Sequence, residues 1–158
     1  MSAVEATACA TVGAGVSYVA VSVSGLGDCR EIELPVISNP AGNIAVIEEA
    51  TGVPFRIRRV YYLYAVPEGA ERGGHAHRRL EQLLVAVSGR FDVLLDDGES
   101  RRSVPLSSPE RGLYLPTMVW RELTGFSSGA VCLVLASEHY DEADYIRDYD
   151  EFAALATS

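Results

Sequence analysis

The chain has 158 residues, of which 48% are hydrophobic, and a formal net charge of −9 from 22 acidic and 13 basic residues. This length fits one domain with a sizeable core, and no apolar run approaches the roughly 18 residues of a membrane-spanning helix. The acidic balance argues against nucleic-acid binding as the main function. Every basic residue is an arginine, which excludes a Schiff-base lysine and the lysine of a phosphate-binding loop.

The cysteines and the N-terminus indicate where the protein works. Cys9, Cys29 and Cys132 form no CxxC pair and are odd in number, so neither a disulfide framework nor a structural zinc site is expected. The N-terminus carries Glu5 and no basic residue before Arg30, and it therefore lacks the charged start of a secretory signal. We expect a cytoplasmic protein.

In chain order, the sequence predicts a series of short strands. Residues 1–28 form an N-terminal extension of small residues, in which residues 16–24 alternate as a strand does, and residues 29–158 form the main domain. Further strands are predicted over 31–36, 43–48, 54–64, 83–87, 90–95, 112–115, 119–123 and 130–136. Residues 39–42 read as a turn, and the segments from 83 to 98 read as a series of hairpins.

Only the tail, residues 141–156, has helical character. Its apolar side chains, among them Tyr145, Tyr149 and Phe152, recur at three- and four-residue spacing. Many short strands with Gly and Pro turns and one late helix predict an all-β fold, an antiparallel barrel or sandwich. No long helix alternates with the strands, so a doubly wound fold is excluded.

The stretch 72–89, RGGHAHRRLEQLLVAVSG, carries the most chemistry. His75 and His77 are separated by one residue, so in a strand both imidazoles lie on one face. The strand predicted over 54–64 places Arg59 and Tyr61 together on one face in the same way. That face is the better candidate for a cavity, because a buried arginine needs an anionic partner.

Two chemistries remain open for the histidines. A neutral imidazole suits the removal of a proton next to a ketone at neutral pH, with Tyr61 and the second histidine as donors to the enediolate oxygens. Alternatively, the spacing of Gly69, His75, His77, Glu81 and Gly89 resembles the first motif of the cupin barrels, in which two histidines and a carboxylate hold a metal. Where the second cupin motif would place its histidine stands Arg121, which cannot ligate a metal because it stays protonated.

From about residue 32 to residue 152 the chain resembles the nucleotide-sugar 3,4-ketoisomerases, cupin-fold enzymes that act on dTDP-4-keto-6-deoxyglucose on the way to 3-amino sugars. The matching segments are 59–64 (RVYYLY), 72–77 (RGGHAH), 80–82 (LEQ), 95–98 (LDDG), 113–116 (LYLP), 120–121 (WR), 135–137 (LAS) and 140–149 (YDEADYIRDY). The turn over residues 39–42 and Gly74 depart from the usual family pattern.

The resemblance implies a cupin-type antiparallel jelly-roll barrel, a dimer, and a site without metal or organic cofactor. It implies catalysis by His75 and His77 with Tyr61 nearby, and we assign His75 as the base that takes the C3 proton. Substrate contacts are predicted for five side chains. Arg59 and Arg72 suit the diphosphate because a forked guanidinium fits it, Trp120 could stack on sugar or base, and Gln82 and Arg121 complete the set.

Two rival functions follow from the same residues. A metal-dependent cupin enzyme, such as an oxygenase, would lose activity to a chelator, and a non-catalytic cupin module would bind a sugar nucleotide and leave it unchanged. The predicted N-terminal strands have little helical cover, and exposed edges of that kind tend to pair. We therefore expect a homodimer that could exchange its N-terminal strands, with no nucleic-acid or membrane partner.

Overall fold

The computed structural model describes residues 25–50 and 52–158, which form twelve β-strands and one α-helix. The strands are β1 Arg30–Glu33, β2 Val36–Asn39, β3 Gly42–Ala45, β4 Arg59–Leu63, β5 Arg72–His77, β6 Gln82–Ser88, β7 Phe91–Asp96, β8 Arg101–Leu106, β9 Arg111–Leu115, β10 Trp120–Thr124, β11 Val131–Ala136 and β12 Tyr145–Ile146, and helix α1 spans Tyr149–Ala156. In these segments no helix has the length and apolar character needed to cross a membrane. The strand predicted over residues 16–24 lies outside the described residues.

Two five-stranded antiparallel sheets build the fold. The first has the order β1-β9-β6-β11-β4 and the second the order β12-β5-β10-β7-β8, while β2 and β3 form a separate hairpin. The inner faces of both sheets share one apolar core, to which β6, β9 and β11 contribute from one side and β7, β8 and β10 from the other. The prediction of an antiparallel all-β fold with a short C-terminal helix is confirmed.

The outer faces of the two sheets are covered differently. On the first sheet, Leu83 and Tyr114 are packed under the loop residues Val53 and Phe55. On the second sheet, α1 places Phe152 against Trp120. The ring of Phe152 is fully buried, which stabilises the docked helix by roughly 1.5–3 kcal/mol. The loop around Val53 and Phe55 and helix α1 thus cover the outer faces of the two sheets.

Several predicted strands have different bounds in the structure. The strand predicted over 31–36 is divided into β1 and β2 at Leu34 and Pro35, because proline has no amide hydrogen for a ladder. The strand predicted over 43–48 is confined to β3, which begins at Gly42. The strand predicted over 54–64 is confined to β4, since Phe55 instead packs over the first sheet and the amide of Ile57 donates to Glu49 Oε1.

The prediction that β6 and β7 form a hairpin is wrong. The two strands belong to opposite sheets, and the chain crosses the barrel through Gly89, whose φ of +64° is accessible to glycine at little cost. A Cβ at Gly89 would lie 2.7 Å from the Cα of Ala130, so a side chain has no room there. The hairpin of β7 and β8 forms as predicted.

The tail also differs from its prediction as one continuous helix. Residues Glu142–Asp144 form a single 3-10 turn, Tyr145 and Ile146 form β12, which pairs with His77 and Ala76 of β5, and the α-helix begins only at Tyr149. The helix begins where Asp148 accepts a hydrogen bond from the amide of Glu151 at 2.8 Å. The strand pairing prevails because β5 would otherwise present an unpaired edge beside buried side chains.

A bulge distorts the pairing of β5 with β10 next to the histidines. Gly73 and Gly74 both have left-handed φ values, +86° and +68°, and the register shifts between Arg121 and Glu122. A Cβ on Gly73 would lie 2.7 Å from the carbonyl oxygen of Arg121, whereas a Cβ on Gly74 would meet nothing within 4 Å. The close approach of the two backbones therefore requires glycine at position 73.

We predict that Gly73→Ala destabilises the protein more than its matched control, Gly74→Ala. In both variants the left-handed backbone lowers the free energy of unfolding by roughly 1–2 kcal/mol, because alanine adopts that conformation at a cost. Only Gly73→Ala adds an overpacking cost of about 1–3 kcal/mol. Denaturant unfolding of the two variants beside the wild type measures the difference. Equal losses in the two variants would show that the bulge does not depend on contact with Arg121.

Candidate active site

A cavity of about 400 Å³ opens between the two large sheets. Its walls come from β4, β5, β6, β10 and β11 and from the tail. Five of the predicted site residues line it, namely Tyr61, Arg72, His75, Gln82 and Arg121. Side chains that are far apart in sequence are therefore brought together in one place.

His75 is the histidine on the cavity wall. It lies opposite Arg121 in the pairing of β5 with β10, and Arg121 Nη1 is 3.5 Å from the carbonyl oxygen of His75. Burial lowers the pKa of His75 to about 3, and positive charge on Arg121 and His77 acts in the same direction. The imidazole is consequently neutral at physiological pH and able to accept a proton.

His77 lies behind His75 rather than on the cavity wall. The two ring centroids are 4.8 Å apart, and His77 is completely buried. Its Nδ1 is 3.1 Å from Oδ2 of Asp144, while its Nε2 has no hydrogen-bond partner in the described part of the chain. Burial lowers the pKa of His77 to about 4, although the hydrogen bond with Asp144 opposes this shift.

Asp144 fixes the protonation of its histidine partner. Burial acts to raise the pKa of Asp144, but hydrogen bonds from His77 and from the backbone amides of Arg79 and Leu80 lower it below its ordinary value. Because the carboxylate is ionised, the proton of the neutral His77 ring resides on Nδ1 and the lone pair on Nε2.

Arg121 is a buried cation that contacts no carboxylate in the described part of the chain. Its side chain is 1% exposed, and its Nε and Nη2 have no hydrogen-bond partner among residues 25–50 and 52–158. Burial lowers its pKa to about 10, so the guanidinium still carries its charge at neutral pH. A buried unpaired charge is costly, and the cavity beside it is where an anionic ligand could supply the missing partner.

The predicted partnership of Arg59 and Tyr61 is present in part. The guanidinium of Arg59 lies over the Tyr61 ring, 5.1 Å from its centroid, but Arg59 does not line the cavity. The hydroxyl oxygen of Tyr61 accepts a hydrogen bond from Gln82 Nε2 at 2.8 Å. Burial raises the pKa of Tyr61 to about 12, which leaves this hydroxyl a donor toward the cavity.

The tail supplies three site residues that the sequence interpretation missed: Asp144, Tyr145 and Arg147. Tyr145 and Arg147 line the cavity, and the Arg147 guanidinium is 4.4 Å from the centroid of the Tyr145 ring. The tail was interpreted as one helix, and its helical spacing concealed the strand β12. The segment 140–149 was nevertheless among those that carried the family resemblance, which was the available signal.

Trp120, for which the sequence suggested stacking on sugar or base, is not among the residues that line the cavity. Trp120 and Arg121 are neighbours on β10, and neighbouring side chains of a strand point to opposite faces. Arg121 faces inward, so Trp120 packs outside, 5.3 Å from the ring of Tyr149, and its Nε1 donates to Glu122 Oε1 at 2.9 Å.

The carboxylate of the cupin motif is also directed away from the histidines. Glu81 accepts a hydrogen bond from the hydroxyl of Tyr114, whose side chain packs on the outer face of the first sheet. No cluster of three or more His, Cys, Asp or Glu side chains suited to a metal ion occurs within the described segments. Glu81 is thus not placed to join His75 and His77 around a metal.

Comparison with known proteins finds relatives along most of the chain. A protein-family model described as "FdtA: WxcM-like, C-terminal" matches residues 27–157. A TDP-4-oxo-6-deoxy-alpha-D-glucose-3,4-oxoisomerase of Aneurinibacillus thermoaerophilus is 46% identical over 123 residues, which are 78% of this chain and 88% of the relative.

Solved structures agree with these relatives. The sugar 3,4-ketoisomerase QdtA from Thermoanaerobacterium thermosaccharolyticum, in complex with TDP, superposes with a TM-score of 0.82 and 38% identity over 84% of this chain and 97% of its own. A histidine-to-asparagine variant of QdtA has been solved with TDP-4-keto-6-deoxyglucose. The TDP-quinovose 3,4-ketoisomerase WlaRB from Campylobacter jejuni superposes with a TM-score of 0.78 and 43% identity, over 80% of this chain and 98% of its own.

The cupin-type fold and the family resemblance that the sequence predicted are confirmed by these matches. The residues matched by the family model, 27–157, include both sheets and the cavity between them. The chain belongs to the FdtA (WxcM-like, C-terminal) family, whose members above are TDP-sugar 3,4-ketoisomerases.

Proposed function

We propose that this enzyme moves the ketone of a TDP-linked 4-keto-6-deoxy sugar from C4 to C3 by histidine-mediated proton transfer, without metal or organic cofactor. The observation that carries the proposal is the neutral His75 on the cavity wall, beside the unpaired guanidinium of Arg121. An uncharged base next to a fixed cation suits proton removal alpha to a ketone, because the negative charge that develops on oxygen meets the cation.

His75 takes the C3 proton and later returns it to C4. The electron pair of the C3–H bond forms the C3=C4 double bond of an enediol, and collapse of the enediol toward C3 completes the transposition. In the empty cavity the pKa of His75, about 3, makes it a weak base. The negative charge of a bound substrate partly offsets the field of Arg121, and this raises the basicity of His75 when the substrate is present.

Arg121 and Tyr61 stabilise the enediolate oxygen. Arg121 is buried and rigidly placed, so its charge acts in a medium of low dielectric and needs no rearrangement as the reaction proceeds. Tyr61 is held by Gln82 and keeps its proton because burial raises its pKa to about 12. Donors of this kind typically contribute a 100- to 1000-fold rate effect, about 3–4 kcal/mol each.

His77 and Asp144 hold the base in position. His77 packs edge-on against His75 and is itself fixed by the Asp144 carboxylate. Because burial keeps His77 neutral, no additional positive charge adjoins His75 to weaken it further as a base. His77 therefore supports proton transfer from behind the cavity wall.

Arg72 and Arg147 bind the diphosphate. Both line the cavity and are more exposed than Arg121, as suits groups at its mouth. Arg147 meets Glu142 through two hydrogen bonds, Nε to Oε1 at 2.6 Å and Nη2 to Oε2 at 3.0 Å, which hold the guanidinium plane in place. Arginines at the mouth of the cavity attract an anionic substrate in spite of the overall negative charge of the chain.

The active form is a homodimer. Within the described segments the hairpin of β2 and β3 pairs only with itself, and it exposes Ile37 and Ile44, each 57% accessible. The edge strand β4 exposes Val60 and Tyr62 on its outer face. Apolar side chains on a free hairpin and on an edge strand favour association with a second copy, and exchange of N-terminal strands would be one way to achieve it.

The enzyme acts in the cytoplasm. Cys29 and Cys132 are buried free thiols, and burial raises their pKa values to about 11 and about 12. Thiols kept protonated in this way are unreactive. Their state agrees with the reducing compartment that the odd cysteine count predicts.

The proposed function is tested by incubating the protein with TDP-4-keto-6-deoxyglucose in heavy water and following the sugar by proton NMR. We expect the 3-keto product to carry deuterium at C4, at least in part, because imidazole N–H groups exchange faster than turnovers of roughly 1–1000 per second. His75→Asn should reduce turnover on the order of 100-fold or more. The control is His139→Asn, which removes an exposed histidine outside the cavity and should leave turnover unchanged.

Several outcomes would refute the proposal. Binding without a new sugar signal would indicate a non-catalytic module, and activity lost on chelation would indicate a metal-dependent enzyme. Near-wild-type turnover of His75→Asn would exclude His75 as the base.

A second prediction concerns the pH dependence of stability. His77 has a folded-state pKa of about 4 and an unfolded value near 6.5, so between these values the unfolded chain binds more protons and stability falls as pH falls. His77→Gln removes this titration and should reduce the loss of unfolding free energy between pH 7 and pH 5 by about 2 kcal/mol. Denaturant unfolding at both pH values measures this loss of unfolding free energy. An equal loss in the variant and the wild type would contradict a buried, neutral His77.

A further inference from the structure

Tyr145 places an uncommitted hydroxyl group in the cavity. The hydroxyls of Tyr61, Tyr114, Tyr140 and Tyr149 each meet a protein partner. The hydroxyl of Tyr145 has none among the described residues, although the side chain is only partly exposed and lines the cavity. A cavity hydroxyl without a partner is free to contact the ligand.

The ring of Tyr145 is placed directly against both histidines. Its centroid is 4.9 Å from that of His75 and 4.3 Å from that of His77. The placement follows from the pairing of β12 with β5, in which Tyr145 is the direct partner of His77. On its other side the ring is covered by Arg147, 4.4 Å from the centroid, so the position of the side chain is fixed by packing.

The proposed reaction needs a group with these properties. Moving the ketone from C4 to C3 transfers one proton from C3 to C4 and a second proton from the oxygen on C3 to the oxygen on C4. His75 accounts for the carbon proton. The oxygen proton requires a group that can donate to one oxygen and accept from the other, within reach of both.

Tyr61 is less suited to that transfer. Its oxygen already accepts a hydrogen bond from Gln82, and burial raises its pKa to about 12, so it is a fixed donor. Tyr145 has both its proton and its lone pairs available. Negative charge on the Tyr145 oxygen would also be stabilised by the guanidinium of Arg121. Burial lowers the pKa of Arg121, and negative charge on Tyr61 or Tyr145 acts to raise it, so the cation and the phenolate would stabilise each other.

We infer that Tyr145 is a further catalytic residue, which carries the proton from the oxygen on C3 to the oxygen on C4. This inference rests on the proposed function. As His75 removes the C3 proton, the electron pair passes into the C3=C4 bond and onto the oxygen of C4, which takes the phenolic proton of Tyr145. The phenolate, beside Arg121, then takes the proton of the C3 hydroxyl. The C3 ketone forms, and C4 takes the proton back from His75.

The variant Tyr145→Phe tests the inference, because it removes only the hydroxyl and keeps the ring packed on both histidines. We expect kcat to fall on the order of 100-fold with KM nearly unchanged. Arg121 and Tyr61 still stabilise the enediolate in this variant, so His75 continues to remove the C3 proton. In heavy water, deuterium at C3 of the recovered substrate should therefore accumulate faster, relative to product, than in the wild type.

Tyr64→Phe is the matched control, since Tyr64 is exposed and is absent from the cavity wall. It should leave both rates unchanged. A kcat of Tyr145→Phe close to that of the wild type would overturn the inference. Equal loss of C3 exchange and isomerisation would also overturn it, because the hydroxyl would then serve the carbon step. If the wild type neither isomerises nor exchanges, the proposed function itself fails, which is a distinct result.

Discussion

The buried guanidinium of Arg121 is the constraint on which the site depends. A charge that is 1% exposed and lacks an ion-pair partner among the described residues destabilises the fold, and it remains only because β10 is held between β5 and β7. Its field lowers the basicity of His75 in the empty cavity. A bound anion would reverse that effect, so base strength is coupled to substrate binding.

The C-terminal tail contributes side chains to the site that the barrel strands alone do not supply. Strand β12 brings Tyr145 beside the histidines and Asp144 to His77. Helix α1 then anchors the tail, since Tyr149 donates a hydrogen bond to Asp96 at 2.8 Å and Phe152 is buried against Trp120. Trp120, which does not touch the cavity, therefore contributes to the site by holding the segment that does. Weakening this anchor would disturb the geometry of the site before it unfolds the barrel.

Much of this arrangement could be predicted from the sequence. The alternation in β4 correctly placed Arg59 and Tyr61 on one face, and the His-x-His spacing placed both imidazoles on one face, since a two-residue period is a local property of a strand. Residue types alone indicated that Arg121 cannot act as a metal ligand.

The remainder depends on contacts between distant parts of the chain. The pairing of Tyr145 with His77 joins residues 68 positions apart in the numbering, and the helical spacing of the tail gave no sign of it. The buried position of His77 behind His75 goes with its contacts to Asp144 and Tyr145 of the tail, which no periodicity records. The opposite facing of Trp120 and Arg121 could have been predicted, because adjacent strand residues cannot both face one cavity.

Under the proposed function, the enzyme retains an unpaired cation at a cost in stability in order to stabilise the enediolate. The most direct test compares Arg121→Met with the wild type in both unfolding and turnover. The variant should be more stable, by about 1 kcal/mol or more, because an apolar side chain replaces a buried unpaired charge. It should also lose turnover by roughly 100- to 1000-fold. A variant that is less stable than the wild type, or one that keeps its turnover, would contradict the account.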